Sequence, residues 1–300
     1  MHMETQQSIW ENQFSFLSAV NYEQFIGLSY PTKKQIEAFQ TIIYDYYKRF
    51  GRVFSWRQMI DPYKIIVSEV MLQQTQTSRV ATRYEQFIGA FPDFSALSKA
   101  RLHDVIFHWQ GLGYNRRGKY LWEVAKKVET DFGGNLPNDT KILEIFPGIG
   151  KATAASICAF AFNAPTIFIE TNIRTVFTKF FFRSDVLSVH DRDIEPLVAA
   201  MLDKKNARAW YYALTDFGVG LKKHFPSLNA KSAHYNKQSK FEGSDRQIRG
   251  KILKLLSVKK SAESQELAVF CTDQNRLEKI LKQLQKEKLI LQTENAFEIG

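Results

Sequence analysis

Cysteine is nearly absent from this chain of 300 residues, which contains only Cys158 and Cys271. Two cysteines cannot complete a four-cysteine zinc or iron–sulfur site, and their number gives no sign of a disulfide-stapled scaffold. Cys158 falls on the small-residue face of a predicted helix, where a core position explains it most simply. We therefore expect neither a metal site nor a cofactor.

Long apolar runs are lacking as well. No stretch of the sequence is long enough to cross a bilayer, and the first residues do not show the basic-then-apolar pattern of an export signal. Together with the scarcity of cysteine, this predicts a soluble protein of a reducing compartment, the cytoplasm.

Acidic residues are outnumbered: 31 Asp and Glu face 41 Lys and Arg, which gives a formal net charge of +10. This surplus favours a polyanionic partner, nucleic acid first and a membrane surface second, although a basic enzyme without such a partner also fits. Hydrophobic residues make up 44% of the chain, which excludes a disordered protein and suffices for one large or two moderate domains.

A short segment rich in small residues, Phe146–Lys151, lies between two predicted helices. Pro147 and the glycines end one helix and start the next within a few residues. Gly148 and Gly150 carry no Cβ, so the backbone of another chain can approach closely, and free N–H groups at the start of the second helix favour an anion. The segment fits a phosphate-binding helix–hairpin–helix, and it fits equally well a turn that joins two core helices.

Two carboxylates occupy chemically informative positions. Glu69 lies in a predicted helix that starts at Asp61-Pro62, and its neighbours Ile66 and Val70 are core candidates. An ionised Glu69 buried there would need a partner or a raised pKa, whereas on the solvated face of the helix it would need neither. Glu170 ends an apolar run and directly precedes another helical pattern.

Two further segments carry groups that can contact nucleic acid. The run Gln73-Gln74-Thr75-Gln76 is rich in uncharged donors and acceptors, which suit base edges or a gap in a duplex but also suit a polar helix end. Tyr114 follows Gly111-Leu112-Gly113 and precedes basic residues that include Arg116. It can serve as a stacking or wedging side chain, or as an anchored surface aromatic.

The C-terminal part of the chain changes character twice. Residues 227–244 predict a basic linker that lies on a polyanion or simply connects two domains. Residues 245–300 then predict three helices and a hairpin, the pattern of a winged helix. Its third helix would present Arg276, Lys279 and Lys282 to a major groove. Because winged helices also dock proteins, both roles remain open.

Four motifs occur together in this chain, in the order VSEVMLQQTQ (67–76), GLGYNRR (111–117), FPGIGKATA (146–154) and FIETNIRTV (168–176). Over residues 31–218 the sequence thereby resembles the helix–hairpin–helix (HhH-GPD) DNA glycosylases, most closely their MutY branch of adenine-specific mismatch glycosylases.

The resemblance implies an all-α fold with a two-lobed glycosylase domain followed by the small winged-helix domain. The expected organisation is an N-terminal extension (1–32), a glycosylase domain (33–226) with a six-helix lobe at 62–162 and a second lobe of 33–61 plus 163–226, the linker (227–244) and the winged helix (245–300).

The resemblance also implies roles for individual residues. Glu69 matches the catalytic glutamate of the family, and Glu170 matches its catalytic aspartate. The expected base pocket consists of Trp56, Arg57 and Tyr212. The expected DNA-binding residues are Gln73, Gln74, Thr75, Tyr114, Arg116, Gly148, Gly150, Lys151, Arg276, Lys279 and Lys282, of which Gln74, Thr75 and Tyr114 match positions that penetrate the duplex.

The chain departs from the family at four places. Glu170 replaces the aspartate and is one methylene longer. Ala152 stands where the lyase branch has its lysine nucleophile, so no β-lyase activity is expected. The cysteine cluster that usually follows Asp216-Phe217-Gly218 is missing. Tyr212 stands where adenine enzymes carry Gln or Glu, which puts the identity of the target base in question.

These observations predict a monofunctional DNA glycosylase of base excision repair. It would flip out and release a mispaired or damaged base, adenine or another purine, from double-stranded DNA. Glu69 would donate a proton to the base, and an ionised Glu170 would stabilise the sugar cation. We expect a nucleoid-associated monomer without a membrane partner. The alternatives are a glycosylase for a pyrimidine or deaminated base and a non-catalytic DNA-binding protein.

Overall fold

The computed structural model describes residues 6–186, 188–226, 228, 233, 240–294 and 296–300. Most of the predicted linker 227–244 therefore lies outside the described residues. The chain divides into two compact units: unit 1 consists of Met1–Ile60 and Lys151–Lys237, and unit 2 consists of Asp61–Gly150 and Gln238–Gly300. Each unit is thus built from two separate stretches of the chain.

Helices form most of the described structure, so the predicted helical fold is confirmed. In chain order they are α1 (Gln6–Ala19), α2 (Lys33–Phe50), α3 (Ser55–Gln58), α4 (Pro62–Leu72), α5 (Thr77–Ala90), α6 (Phe94–Lys99), α7 (Leu102–His108), α8 (Arg116–Phe132), α9 (Thr140–Glu144), α10 (Lys151–Phe162), α11 (Thr171–Phe181), α12 (Asp191–Met201), α13 (Ala207–His224), α14 (Asp245–Lys259), α15 (Ser264–Ala268) and α16 (Gln274–Lys286). The strands are β1 (Ser261–Glu263), β2 (Ile290–Gln292) and β3 (Ala296–Ile299). No described helix combines the length and apolar character that a bilayer span requires.

An aromatic core holds unit 1 together. Phe39 of α2 is fully buried, and its ring centroid lies 4.8 Å from that of Phe180 and 5.8 Å from that of Trp210. Edge-on packing of large rings combines extensive apolar burial with favourable quadrupole contacts. The core therefore joins α2, α11 and α13.

One glycine brings α13 close to the start of α11. A Cβ on Gly218 would lie 2.3 Å from the backbone oxygen of Asn172, far inside van der Waals contact. Only glycine allows this approach. The contact fixes the N-terminal end of α11, which Glu170 precedes.

In the first segment of unit 2, α4 begins at Pro62 after Asp61, as the sequence predicts. The Asp61 carboxylate accepts hydrogen bonds from the backbone N–H groups of Tyr63 and Lys64. Trp109, which follows α7, is fully buried, and its indole N–H donates to the backbone oxygen of Gly113 at 3.2 Å. This bond ties the Gly111–Tyr114 turn to the core.

The second segment of unit 2 forms a three-stranded antiparallel sheet of order β1-β3-β2, packed with α14, α15 and α16. The sequence predicted the three helices and the hairpin strands, whereas it missed β1. Ile252 and Leu256 of α14 belong to one hydrophobic core with Leu102 and Ile106 of α7. Unit 2 is therefore held together by a core that both of its segments share.

The predicted lobe at 62–162 included α10, whereas the two units divide between Gly150 and Lys151. The winged-helix identity of 245–300 stays a prediction at this stage.

Candidate functional site

In unit 2, the hairpin after α9 exposes two glycines. Gly148 adopts a left-handed backbone with φ of 75°, and a Cβ there would lie 2.6 Å from Cδ2 of Tyr120. A Cβ on Gly150 would meet nothing within 4 Å. Position 148 thus requires glycine for local packing, whereas Gly150 leaves open space. Lys151 is exposed and is the first residue of α10.

Two non-glycine residues of unit 2 adopt left-handed backbone conformations at the predicted duplex-contacting loops. Gln74, just after α4, has φ of 52°, and Tyr114 has φ of 46°. This conformation costs a residue with a Cβ about 1–2 kcal/mol, so the surroundings must enforce it. Gln74 is exposed, and Tyr114 is half-buried.

Arg117 binds the chain on both sides of Gln74 and directly before Tyr114. It is 8% exposed, and its guanidinium donates to the backbone oxygens of Val70, Met71 and Gln73 at 2.6–2.9 Å. The same group donates to Thr75 Oγ1 at 2.9 Å and to the backbone oxygens of Leu112 and Gly113. Burial lowers the pKa of Arg117 to about 10. Arg117 therefore ties the end of α4 to the turn that carries Tyr114.

A cavity of about 460 Å³ in unit 2 gathers five of the predicted residues: Gln73, Gln74, Tyr114, Arg116 and Gly148. The Gln73 side-chain amide donates to the Gly148 backbone oxygen at 3.3 Å, which links the loop after α4 to the hairpin. The cavity is also lined by Arg246 and Arg249 of α14, which the sequence did not single out. Thr75 and Gly150 lie outside this lining.

Glu69 lies on α4 of unit 2 and is half-buried, between the buried residues Ser68 and Val70. Its position is thus neither the fully solvated face nor the closed interior that the sequence left open.

Glu170 caps α11 in unit 1. Its Oε1 accepts the backbone N–H of Ile173 at 3.1 Å, and its Oε2 accepts the side-chain amide of Asn172 at 3.0 Å. The N-terminal end of a helix favours a negative charge. Asn172 Oδ1 is buried without a hydrogen-bond partner in the structure. Both carboxylate oxygens of Glu170 are therefore oriented by residues of the first turn of α11.

Lys222 of α13 is a further charged neighbour of Glu170 that the sequence did not indicate. Burial lowers its pKa, the charge of Glu170 raises it, and the charge of Arg52 lowers it. Because Lys222 lies one helical turn after Gly218, the approach of α13 to α11 places it on the face toward the start of α11.

The predicted base-pocket residues lie together in unit 1. The guanidinium carbon of Arg57 lies 4.4 Å from the ring centroid of Tyr212, and Tyr212 stacks on Phe160 with centroids 4.4 Å apart. Trp56 is buried and stacks on Phe54 at 4.6 Å. Arg57, Tyr212 and Phe160 therefore form a largely buried stack of one guanidinium group and two aromatic rings.

Asp216 holds Arg57 in place beside Tyr212. Its side chain is 1% exposed and accepts two hydrogen bonds from Arg57, at 2.9 and 3.0 Å. It also accepts the backbone N–H of Arg52 at 2.7 Å and its Nε–H at 2.8 Å. The sequence treated Asp216 only as a landmark, because local patterns do not reveal partners more than 150 residues away.

The three basic residues predicted on α16 have different surroundings. Arg276 is bound to Asp245 at 2.6 Å and to the Gly243 backbone oxygen at 2.7 Å, and Lys282 pairs with Glu278 at 2.6 Å. Lys279 is exposed. Arg276 therefore holds the start of α14 in addition to any contact with DNA.

The two cysteines lie on different segments of the chain. Cys158 lies in α10 of unit 1 and Cys271 in the second segment of unit 2, and both are buried thiols outside any disulfide. Within the described part of the chain, no group of three or more His, Cys, Asp or Glu is arranged to hold a metal ion.

Part of the chain matches a known protein family. Residues 67–193 match the family described as "HhH-GPD superfamily base excision DNA repair protein". The adenine DNA glycosylase of Mycolicibacterium smegmatis is 29% identical over 266 residues, covering 83% of this chain and 91% of that protein. The adenine DNA glycosylase of Buchnera aphidicola subsp. Baizongia pistaciae is 35% identical over 161 residues, and the match spans only 44% of that protein.

Solved structures agree on the fold. A thermostable thymine-DNA glycosylase matches with a TM-score of 0.54 at 24% identity, covering 62% of this chain and 86% of that chain. A trapped endonuclease III–DNA covalent intermediate matches with a TM-score of 0.51 at 15% identity. At these identities the likeness concerns the fold alone. The resemblance drawn from the four motifs is confirmed.

Proposed function

We propose that this chain, which carries an HhH-GPD superfamily domain at residues 67–193, is a monofunctional adenine DNA glycosylase of base excision repair. The observation that carries the proposal is the Glu170 carboxylate, oriented by Asn172 and by the backbone of Ile173. Relatives named adenine DNA glycosylase support adenine as the released base. The family match at residues 67–193 includes Glu69 and Glu170.

Cleavage of an N-glycosidic bond leaves positive charge on the sugar and negative charge on the departing base. In the proposal, the Glu170 carboxylate stays ionised at the start of α11 and stabilises the sugar cation. Glu69 starts protonated and donates its proton to the base, at N7 for a purine. A water molecule then attacks the sugar, and the Glu170 carboxylate accepts the proton that this water loses.

The target base must leave the stack before this chemistry can occur. Tyr114, Gln74 and Thr75 would enter the duplex at the resulting gap, with Gln73 beside them. The exposed backbone at Gly148 and Gly150, together with Lys151 and Arg116, would hold the phosphates. The stacked Arg57 and Tyr212, with Trp56 nearby, would receive the extruded base.

The product should be an intact abasic site. Ala152 occupies the position of the nucleophilic lysine in the lyase branch, and an alanine cannot form a Schiff base. The neighbouring Lys151 is exposed at the first turn of α10. The proposal also requires no iron–sulfur cluster, because the two cysteines do not fit one.

We further propose that the chain consists of a glycosylase domain at 33–226, a linker at 227–244 and a winged-helix domain at 245–300, in that order along the sequence. The order α14, β1, α15, α16, β2, β3 and the antiparallel sheet support this assignment. Lys279, with Arg276 and Lys282, would approach DNA from α16. The protein would act on the nucleoid as a monomer bound to double-stranded DNA that carries a mismatch or lesion.

A duplex panel tests the proposal. Single-turnover incubation at enzyme excess with duplexes that each carry one mispaired or damaged base, followed by hot alkali, reports base release as strand scission. We expect scission at mispaired adenine only after alkali, and no covalent adduct after borohydride reduction. Release of a different base, and not of adenine, would show that adenine is not the substrate. Failure to release any base, with duplex binding retained, would leave the non-catalytic DNA-binding alternative.

A further inference from the structure

Tyr114 is held by a residue 132 positions away in the sequence. Nη1 of Arg246, in the first turn of α14, donates to the Tyr114 hydroxyl at 2.7 Å, and its guanidinium carbon lies 5.5 Å from the ring centroid. Both residues belong to unit 2, on its two different segments. A contact of this kind links the turn Gly111–Tyr114 to the C-terminal segment.

Arg246 is itself firmly placed. The Ser244 hydroxyl accepts the backbone N–H of Gln247 and so caps α14, and Arg276 binds Asp245 and the Gly243 backbone oxygen. The buried face of α14 shares a hydrophobic core with α7. The Arg246 guanidinium therefore extends from a fixed helix start, so its bond restrains the Tyr114 side chain.

Tyr114 needs restraint because its backbone is left-handed. Its φ of 46° is unfavourable for a residue with a Cβ, and it follows Gly113, whose φ is 72°. The guanidinium carbon of Arg117 lies 5.6 Å from the Tyr114 ring centroid, so two guanidinium groups contact one aromatic ring. Arg117 holds the turn through hydrogen bonds to the backbone oxygens of Leu112 and Gly113. Arg246 holds the Tyr114 side chain through a hydrogen bond to its hydroxyl.

The cavity of about 460 Å³ borders this contact and is lined from both segments, by Gln73 and Gln74 on one and by Arg249 and Gly250 on the other. DNA that reaches Tyr114 and Gln74 would therefore also meet α14. Four arginines and one glutamate, Glu287, line the cavity, and this excess of positive charge suits a nucleic-acid backbone.

We propose that Arg246 is a positioning residue for Tyr114, so that the C-terminal segment takes part in opening the duplex and does not only add affinity for DNA. The inference rests on the proposed glycosylase function, in which Tyr114 enters the duplex. It assigns to α14 a role in the step before bond cleavage. It also predicts that Arg246 and Tyr114 are functionally coupled.

A double-mutant cycle in the full chain tests this inference. Tyr114→Phe removes only the hydroxyl, and Arg246→Gln removes the charged donor. Hydrogen bonds to charged groups support an expected drop of about tenfold in the single-turnover rate of base release for each variant. The double variant should be no slower than Tyr114→Phe alone, and Arg246→Lys should recover part of the rate.

Lys251→Gln is the matched control, because Lys251 is an exposed residue of the same helix and its loss removes the same charge. It should weaken duplex binding slightly and leave the opening step unchanged. If Arg246→Gln behaves like Lys251→Gln, or if the effects of Arg246→Gln and Tyr114→Phe multiply, the inference is wrong.

A fluorescence readout separates this inference from the proposed function. A duplex with 2-aminopurine next to the mispair becomes brighter when the stack opens, whether or not a base is released. We expect Tyr114→Phe, Arg246→Gln and the double variant to share one reduced amplitude, with unfolding midpoints near that of the parent chain. If the parent chain releases no base but the variants show this pattern, the glycosylase proposal is wrong and the positioning role stands. If Arg246→Gln opens the duplex normally, the positioning role is wrong.

Discussion

Two largely buried arginine side chains, one in each unit, bind different kinds of acceptor. In unit 1, Arg57 faces the carboxylate of Asp216, which Arg52 shares. In unit 2, Arg117 donates to five backbone oxygens and one hydroxyl oxygen, and no carboxylate is among these acceptors. The first arrangement neutralises charge inside a core, while the second fixes the path of two loops.

The difference indicates where each unit is vulnerable. Removal of one partner from a buried ion pair leaves an uncompensated charge, which weakens the whole unit. Loss of Arg117 would instead release the end of α4 and the turn at Tyr114, so the damage should be local. We therefore expect loss of the buried ion pair in unit 1 to lower mainly the free energy of unfolding. Loss of Arg117 in unit 2 should disturb mainly the geometry of the proposed DNA contacts.

The largest expected loss of stability follows Asp216→Asn. Arg52 and Arg57 would then be left without their negative charge, and we expect the free energy of unfolding to fall by about 3–5 kcal/mol in denaturant titration. Asp185→Asn is the control, because Asp185 forms an exposed pair with Arg183 and should change stability by less than about 1 kcal/mol. Equal losses of stability in Asp216→Asn and Asp185→Asn would show that the ion pairs of Asp216 do not stabilise unit 1 more than an exposed pair does.

Arg117→Met should reduce function by more than its loss of stability explains. Each carbonyl group at the end of α4 that is left buried without a donor would cost about 1–3 kcal/mol. Base release should fall by a larger factor than this destabilisation explains, since Gln74 and Tyr114 lose their restraint. Single-turnover kinetics well below the unfolding midpoint would check this, and a normal rate would contradict it.

A pair of glycine substitutions sharpens the account of the hairpin. Gly148→Ala introduces a Cβ 2.6 Å from the Tyr120 ring at a left-handed position, whereas Gly150→Ala introduces one with nothing within 4 Å. We expect Gly148→Ala to cost about 1–3 kcal/mol of stability and Gly150→Ala to cost clearly less. If both bind duplex DNA weakly, the open space at Gly150 is where the phosphate backbone approaches.

The smallest expected effect is at Lys222. Burial holds the pKa of Lys222 below its ordinary value of 10.5, so the unfolded chain binds this proton more tightly than the folded chain does. Lys222 therefore weakens stability at neutral pH, and this penalty fades as the pH rises through the lowered folded pKa toward 10.5. Lys222→Met should be slightly stabilising near pH 7, and the gain should shrink in denaturant titrations near pH 10. A gain that grows with pH would contradict the sign.

Some parts of this structure were accessible from sequence because the signal is local. Asp61-Pro62 specifies the start of α4, and Glu170 directly before a helical pattern specifies the cap of α11. The hairpin at Gly148 follows from glycine placement. The four motifs supplied the resemblance to the HhH-GPD glycosylases because their residue types occur together in this order.

Other parts depend on contacts between distant residues, which local patterns do not encode. The sequence placed Arg276 on a groove-facing helix, but its pairing with Asp245 requires the fold of the C-terminal segment. Arg117 was only one of several basic residues near Tyr114, and β1 is too short at three residues to show an alternating pattern. The bond from Arg246 to Tyr114 appears only when the two segments of unit 2 are folded together.

The most direct test of the account is the rate of adenine release by Glu170→Gln. The variant keeps a side chain of nearly the same size while it removes the charge that should stabilise the sugar cation. At enzyme excess over a duplex with one mispaired adenine, we expect release to slow by about 10²–10³-fold, with the Kd for that duplex close to that of the parent chain. Release at the parent rate by Glu170→Gln would contradict the central claim.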